Sequence, residues 1–574
     1  MPAEIMIPPV FYMIAGAILL PFIPKGLRSA LFILFPLTAL VVIWNLPDGY
    51  LLKVPFVGYE LLLCEVDPLN RVFGIIFSLI AVIGGFYSYH FKETAHQCAA
   101  LLYAGGALGV TFAGDYFTLF IFWELMAVAS TYLIWARRTA ESEKAGMRYL
   151  LVHLFGGSLL LTGILLHVNH SGSIIITSLI PDGAVSSWLI LAGVALNTAI
   201  PPLHAWLADA YPKATVTGAV FLSAFTTKSA VLILIKIFAG WEILIFFGVM
   251  MALYGVVYAV LANDIREILA YHIISQVGYM VAGVGIGTEM AINGTTAHAF
   301  SHILYKALLF MGAGVVLHTT GKSKLTELGG IAKAQPVTLW LYMIGAFSIS
   351  GFPLFNGFIS KSMVVSAAGE AHFDTAMLLL LLASVGTFLH TGLKLPYFTW
   401  WSEAKEKIVP AKPPVNMHIG MALAAFFCVL FGIYPTLLYS YLPFTVNYQP
   451  YTLYHLTESV QILTFTFIAF WMLRSKLAGE SLIALDTDWF YRRPARLVQK
   501  IFVDSVEFIF NYSDKIADRM VKGLVLFGRN PLALFNPAEK GTDYHPDEHR
   551  ASTQLLTILI IFSFVVFAII SLLF

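Results

Sequence analysis

The sequence predicts an all-α, polytopic membrane protein, because apolar residues dominate it and recur in long runs separated by charged loops. Hydrophobic residues make up 59% of the 574 residues and charged residues 12%, about half the roughly 25% of a soluble chain. The formal net charge of +1 gives no electrostatic case for nucleic acid binding. Most of the chain is therefore expected to lie in a lipid bilayer.

Apolar runs long enough to cross a bilayer, at about 20 residues each, predict about sixteen transmembrane helices. They are expected near residues 5–23, 29–46, 71–91, 97–113, 115–136, 146–168, 187–205, 214–238, 243–262, 268–288, 292–318, 336–366, 374–396, 418–438, 458–474 and 552–574. The first run lacks a basic start and a small-residue cleavage site, so it is interpreted as a retained span and not as a signal peptide.

Basic side chains are concentrated in alternate loops. They are Lys25, Arg28, Lys92, Arg137, Arg138, Lys144, Arg148, Arg266, Lys322, Lys324 and Lys333. The other loops are mainly acidic, with Lys53 and Arg71 as their main basic members. Because short cytoplasmic loops are enriched in Lys and Arg, the N-terminus is predicted to lie outside the inner (plasma) membrane of a bacterial or archaeal cell.

Two apolar runs are interrupted in a similar way. One reads VALNTAIPPLHAWLADAY around Pro201 and Pro202, and the other reads GAFSISGFPLFNGFISKSM around Gly351 and Pro353. Proline breaks a helix, and broken helices at matching places in two halves mark transport sites in repeat-built transporters. The breaks are five spans apart, which predicts two inverted five-helix repeats. The alternative is a pair of incidental proline kinks.

These features divide the chain into six predicted segments. They are N-terminal helices (1–96), a first inverted repeat or half-channel (97–238), a second (243–396), C-terminal helices (397–483), an interfacial segment (484–551) and a terminal anchor helix (552–574). Within the interfacial segment, polar residues at spacings of three and four predict an amphipathic lateral helix over 501–525. It would lie in the membrane interface, along a partner, or free as an ordinary cytoplasmic helix.

Ionisable residues inside the predicted spans are the candidate functional residues, since a charge in the bilayer is costly and usually marks an ion pathway. They are Glu124, Lys228, His298, His302, Lys306 and Lys361. Glu124 needs a compensating cation or a proton, and Lys228 is its candidate partner. The alternative for each residue is a polar group satisfied within the protein.

Three of these residues share one helix face. His298, His302 and Lys306 follow an i, i+4, i+8 spacing, and such residues are neighbours on a helix. Imidazole titrates near neutral pH, so the row could pass protons through water. A two-histidine metal site is the alternative, but no third ligand is evident nearby. Three scattered cysteines, Cys64, Cys98 and Cys428, support neither a disulfide framework nor a cluster site, and no cofactor is expected.

Several motifs together resemble the antiporter-like subunits of respiratory complex I, of Mrp cation/proton antiporters and of membrane-bound hydrogenases. In chain order they are FIFWELM, PPLHAWLADAY, TTKSAVL, DIREILAYHIISQVGYM, FSHILYKALLFMGAG and GFPLFNGFISK. The resemblance runs from about residue 70 to 400. It implies two inverted five-helix repeats, each with a broken helix, and a chain of charges and water made by the six candidate residues.

One position departs from the family pattern. The family usually has a lysine seven residues before the histidine of PLHAWL, paired with the glutamate at the position of Glu124, and this chain has Asn197 there. Either Lys228 substitutes for that lysine, or the first half-channel is altered or silent.

The expected function is translocation of protons, or of sodium and protons, within a multi-subunit membrane complex. HTGLKLPYFTWW looks like the D-type subunit of Mrp antiporters, which is the first hypothesis. The second is a proton-pumping membrane subunit of an NADH-quinone oxidoreductase or a membrane-bound hydrogenase, whose redox chemistry lies in partner subunits. The third is a non-conducting scaffold. The sequence does not decide between H⁺ and Na⁺.

Overall fold

The computed structural model describes residues 6–404, 406–478, 486, 487, 489, 497, 499–539, 541–548 and 550–573, and helices make up most of them. The chain divides into two compact units, Met1–Asp488 and Trp489–Phe574.

The first unit opens with two helices, a β-hairpin and a third helix. These elements are α1 (Pro9–Leu19), α2 (Lys25–Asn45), β1 (Leu51–Phe56), β2 (Tyr59–Glu65) and α3 (Pro68–Tyr87). The β-hairpin was not part of the all-helical prediction. Its strands pair antiparallel with Phe56 opposite Tyr59, and both residues between them, Val57 and Gly58, have positive φ, as a tight two-residue hairpin turn requires.

Seven helices follow, and the fourth and fifth of them are separated by a break. They are α4 (Thr94–Phe112), α5 (Tyr116–Trp135), α6 (Ala140–Ser171), α7 (Val185–Thr198), α8 (Ala205–Ala210), α9 (Gly218–Leu222) and α10 (Thr226–Phe238).

The next group also contains a broken helix. It comprises α11 (Ile243–Leu261), α12 (Ile265–Ile286), α13 (Glu289–Thr320), α14 (Pro336–Ser350), α15 (Asn356–Glu370) and α16 (Asp374–Thr387). The helix α16 continues as π-helix through Phe388–Lys394 and Tyr397–Trp401.

Some of the remaining helices belong to the first unit and some to the second. In the first unit they are α17 (Val415–Ile433), α18 (Pro435–Tyr439) and α19 (Leu453–Leu473), and in the second unit α20 (Ser505–Arg529) and α21 (Thr553–Leu573). The predicted amphipathic helix over 501–525 corresponds to α20, and the predicted terminal span to α21.

Twelve helices of the described chain are long and apolar enough to cross a membrane. Three shorter apolar helices, Pro9–Phe22, Val185–Thr198 and Pro336–Ser350, add to them. The last two end where the sequence predicts the helix breaks. They are short because each break divides a span into pieces that fall below the length needed to cross a membrane. The prediction of about sixteen spans therefore stays a prediction, whereas the multi-span helical fold is present.

Two parts of the first unit share structural details. The helices α6 and α13 are both 32 residues long, and they end at left-handed glycines, Gly172 and Gly321. In each part the loop after the long helix returns to the N-terminus of an earlier helix: Tyr116 N–H donates to Ile174 (2.9 Å), and Ile265 N–H donates to the carbonyl of residue 323 (2.8 Å). These matched contacts favour the predicted repeats, whose bounds and inverted relation stay predictions.

An aspartate begins the helix at each of these places. Asp115 caps α5 and Asp264 caps α12 through backbone N–H groups of the first turn. Both carboxylates therefore satisfy donors that a helix N-terminus leaves without intrahelical partners.

We expect Asp115→Ala to destabilise the fold by about 3 kcal/mol, because it removes both a helix cap and a buried acceptor. The carboxylate is fully buried and accepts from Phe117 N–H, from Thr118 N–H and hydroxyl, and from Leu62 N–H of the hairpin. Thermal unfolding in detergent measures the effect. Asp182→Ala is the control, because that aspartate caps an exposed turn; equal melting temperatures for the two variants would contradict the prediction.

Candidate functional site

Both predicted helix interruptions are present. The helix α7 ends at Ala199 and α14 ends at Gly351, each in the left-handed conformation. Helix resumes only at Ala205 and Asn356. Each break frees backbone carbonyls in the interior, and these need donors because irregular backbone at membrane depth persists only beside protein or water.

Lys361 supplies the donor at the second break. Its Nζ donates to the carbonyl of Ile349 (2.8 Å) and lies 3.4 Å from the hydroxyl of Ser384. The ammonium also lies 5.3 Å from the ring centroid of Tyr279. Carbonyls at a helix C-terminus stabilise a cation, so the break holds the Lys361 ammonium inside the bundle.

The row on α13 adjoins this lysine. His298, His302 and Lys306 are completely buried, and the two imidazole centroids are 6.3 Å apart. Nδ1 of His298 lies 3.1 Å from the hydroxyl of Ser360, the neighbour of Lys361 in sequence. The predicted row therefore exists and extends to the second helix break.

Most polar atoms of the row have no protein partner among the described residues. This holds for Nε2 of His298, both ring nitrogens of His302 and Nζ of Lys306. A buried polar group without a hydrogen bond is costly, and internal water commonly satisfies such groups. These nitrogens can therefore bind protons or water along one helix face.

Lys228 joins the row from the first half of the bundle. It is completely buried in α10, and its Nζ donates to the carbonyl of Ser223 (2.7 Å) in the interruption between α9 and α10. Its charge lies within electrostatic range of both Lys306 and His302.

Glu124 lies on a different helix from Lys228. It is half-buried in α5, its Oε1 has no hydrogen-bond partner in the described chain, and its carboxylate packs directly against Gly157 of α6. Nζ of Lys228 donates to the Ser223 carbonyl, which uses one of the three donors of the ammonium, and its pairing with Glu124 stays a hypothesis.

Asn197 lies in the last turn of α7, before the first break. It is 1% exposed, and its Oδ1 has no partner among the described residues. A neutral amide therefore occupies the buried position where the resemblance implies a lysine.

A family model described as NADH:quinone oxidoreductase/Mrp antiporter, transmembrane, matches residues 113–389, a range that contains all six candidate residues. The D-type subunit of the Na⁺/H⁺ antiporter of Alkalihalophilus pseudofirmus is 32% identical over 340 residues, which cover 55% of this chain and 67% of that protein. The chain belongs to this antiporter-like family.

Other relatives do not single out one type of subunit. The A-type subunit of the Na⁺/H⁺ antiporter of the same organism is 30% identical over 424 residues, covering 65% of this chain, and the chain spans only 52% of that protein's length. The chain is thus an antiporter-like subunit similar to both the A-type and the D-type proteins.

Solved structures share the fold of this antiporter-like subunit. A chain of the membrane-bound sulfane sulfur reductase, an archaeal respiratory membrane complex, matches 98% of this chain and 99% of its own length with a TM-score of 0.70 at 20% identity. A chain of the Mrp complex from Dietzia sp. DQ12-45-1b matches 80% of this chain and 97% of its own length with a TM-score of 0.68 at 21% identity.

Three further buried residues of this antiporter-like chain were not among the candidates. The rings of His272 and His390 are 6.0 Å apart, and none of their nitrogens has a partner in the described chain. Lys394 donates to the carbonyl of Val260 at 2.7 Å. Their position in apolar runs, with His390 and Lys394 at i, i+4, was the signal that could have found them.

No group of three or more His, Cys, Asp or Glu side chains in the described ranges is placed to hold a metal ion.

Proposed function

We propose that this antiporter-like protein translocates protons, or exchanges sodium ions for protons, as the D-type subunit of a Mrp-type monovalent cation/proton antiporter. The observation that carries the proposal is the run of buried titratable nitrogens from Lys361 through His298 and His302 to Lys306. In lipid-shielded protein such groups mark ion pathways.

The arrangement of the lysines suggests how a proton would advance. Lys228 and Lys306 lie within electrostatic range of one another, and two ammonium groups in a low dielectric repel strongly. Charging one lysine therefore favours loss of a proton from the other. Water between the groups would carry that proton towards Glu124 in one direction or Lys361 in the other.

A polar cavity supports access to Lys361. A space of about 50 Å³ is lined by Lys361, Ser362, Ser384, His455 and Glu458, among others. A larger neighbouring cavity of about 760 Å³ shares His455. Hydroxyl, imidazole and carboxylate groups can hold ordered water, so ions could reach the second helix break along this face.

We infer that the end of the bundle with the basic loops faces the cytoplasm, with the N-terminus outside the plasma membrane. Loops of this end contact one another: Arg138 pairs with Glu93 (2.7 Å), and Lys213 pairs with Glu141 (3.1 Å). The gathering of Arg and Lys in these short loops supports the orientation.

A second candidate is the equivalent pump subunit of a redox-linked complex. The reductase chain matches this one along nearly its entire length, including the part that contains α20 and α21, whereas the Mrp chain matches 80%. Purification of the native complex and identification of its subunits separates the two: small membrane antiporter subunits would favour the first, and metal-containing redox subunits the second.

We expect Lys361→Ala to lower ion transport by the intact complex about a hundredfold, because it removes a proton-exchanging group at the helix break. Dye-detected ΔpH in vesicles that contain the complex measures transport, and subunit content confirms assembly. Lys333→Ala, at an exposed loop lysine, is the matched control. Equal transport by both variants would favour the non-conducting scaffold.

A further inference from the structure

The segment after α19 brings a carboxylate to the break in the first half. Asp486 is 9% exposed although it lies outside the helices of the first unit. Its Oδ1 lies 3.1 Å from Nε2 of His204, inside the break between α7 and α8. The next residue, Thr487, donates its hydroxyl to the carbonyl of Pro202 (3.1 Å) in the same break.

Two tyrosines from other helices complete the contact. Tyr254 of α11 donates its hydroxyl to Oδ1 of Asp486, and Tyr271 of α12 donates to Oδ2 at 2.8 Å. The ring of His204 packs edge-on against Tyr254, with centroids 4.5 Å apart. A carboxylate held by two hydroxyls beside an imidazole is the arrangement that stabilises an anion and fixes the ring next to it.

His204 has one nitrogen that faces this carboxylate and one that does not. The side chain is completely buried. Neither ring nitrogen has a hydrogen-bond partner among the described residues, but Nε2 lies 3.1 Å from Oδ1 of Asp486 and Nδ1 lies on the other side of the ring. With hydrogen on Nε2, the nitrogen nearer to Asp486, a proton that binds at Nδ1 gives imidazolium beside carboxylate. When that proton leaves Nδ1, the ring is again neutral with hydrogen on Nε2. Nδ1 is therefore the atom that binds and releases the proton.

Other charged groups lie towards the end of the bundle where α8 ends and α12 begins. The groups within electrostatic range of Glu267 are Asp209, Lys213, Asp264 and Asp486, and Arg148 holds Asp209 at 2.7 Å. Glu267 therefore lies within electrostatic range both of Asp486 and of the charged groups at that end of the bundle.

We propose that Asp486 is a positioning residue for proton transfer in the first half, which keeps His204 oriented and able to hold a proton at the helix break. The inference rests on the proposed function, since it assumes that the protein moves protons. It also gives this half a protonatable pair near the turn of α7 that contains the neutral Asn197. The pair depends on a segment that follows all the helices of the first unit.

The test compares the pH profile of ion transport by the intact complex that contains Asp486→Asn, Asp486→Glu or Glu406→Gln. We expect Asp486→Asn to lower transport about tenfold, since a neutral amide replaces the carboxylate that lies 3.1 Å from the imidazole and stabilises its charged form. It should also move the alkaline limb of the profile to lower pH, because imidazolium without a neighbouring anion loses its proton sooner. Asp486→Glu should restore much of both. Glu406 is the control because its exposed carboxylate pairs with Lys322.

A second variant predicts a shift of the opposite sign. Tyr254→Phe removes one donor to Asp486 and leaves its charge, so the carboxylate attracts the imidazolium more strongly. We expect the alkaline limb to move to higher pH. If Asp486→Asn does not assemble, the Tyr254→Phe profile still tests the inference. An alkaline limb that moves to lower pH, or does not move, overturns it.

The outcomes separate this inference from the proposed function. If Lys361→Ala abolishes transport while Asp486→Asn keeps the wild-type pH profile, the positioning role is wrong and proton translocation stands. If Asp486→Asn retains the wild-type pH profile and Asp486→Glu does not, the shape of the side chain matters and its charge does not. The positioning role would then also be wrong. If Lys361→Ala leaves transport intact, the proposed function itself fails.

Discussion

Replacing Lys306 by alanine is expected to abolish ion transport by the intact complex, a loss of at least about a hundredfold. Its ammonium is completely buried, has no hydrogen-bond partner in the described chain, and lies within electrostatic range of Lys228. A lysine in this setting can exchange its proton with neighbouring groups of the row through internal water. In the proposed function, the variant removes the group that connects the two halves.

An arginine at the same position distinguishes proton exchange from charge alone. Lys306→Arg keeps a cation, but guanidinium does not release its proton in proteins, so we expect it to be as inactive as alanine. Transport in vesicles is measured with assembly verified, and Lys324→Ala is the control because that side chain is 58% exposed. Wild-type transport by Lys306→Arg would show that a fixed charge is sufficient and that Lys306 does not carry protons.

Hydropathy and spacing were sufficient to predict which residues of the second half lie together in the candidate site. An i, i+4, i+8 pattern fixes the face of a helix without any tertiary information, so His298, His302 and Lys306 could be predicted to share one face. The Gly351–Pro353 interruption similarly predicts a broken helix, and the structure places Lys361 on a carbonyl freed by that break. Local covalent geometry determines both features.

Contacts between distant segments could not be predicted in this way. The partner of Lys228 is a backbone carbonyl in its own short interruption, which spacing does not distinguish from a pairing with Glu124. Asp486 lies in a polar stretch that gives no apolar periodicity, and its contact with His204 joins segments that are far apart in the chain. The β-hairpin is short, and its alternation is weak beside the long apolar runs.

Gly157→Ala is expected to lower transport nearly as far as Glu124→Gln, about a hundredfold, without unfolding the protein. A Cβ at Gly157 would occupy the position of Oε1 of Glu124. The flexible carboxylate must turn away, because the helix backbone cannot move as easily. Alanine is itself the better helix former by about 1 kcal/mol, so stability should be retained while the carboxylate is displaced.

The neighbouring glycine is a matched control for this displacement. The atoms nearest to a Cβ at Gly156 belong to the side chain of Leu196, the first at 3.1 Å, so Gly156→Ala should transport at nearly the wild-type rate. The double variant Gly157→Ala with Glu124→Asp should regain part of the transport lost in Gly157→Ala, since the shorter acid withdraws from the new methyl group. If Gly157→Ala and Gly156→Ala behave alike, the position of the Glu124 carboxylate does not limit ion movement, and the first half of the proposed pathway must follow another route.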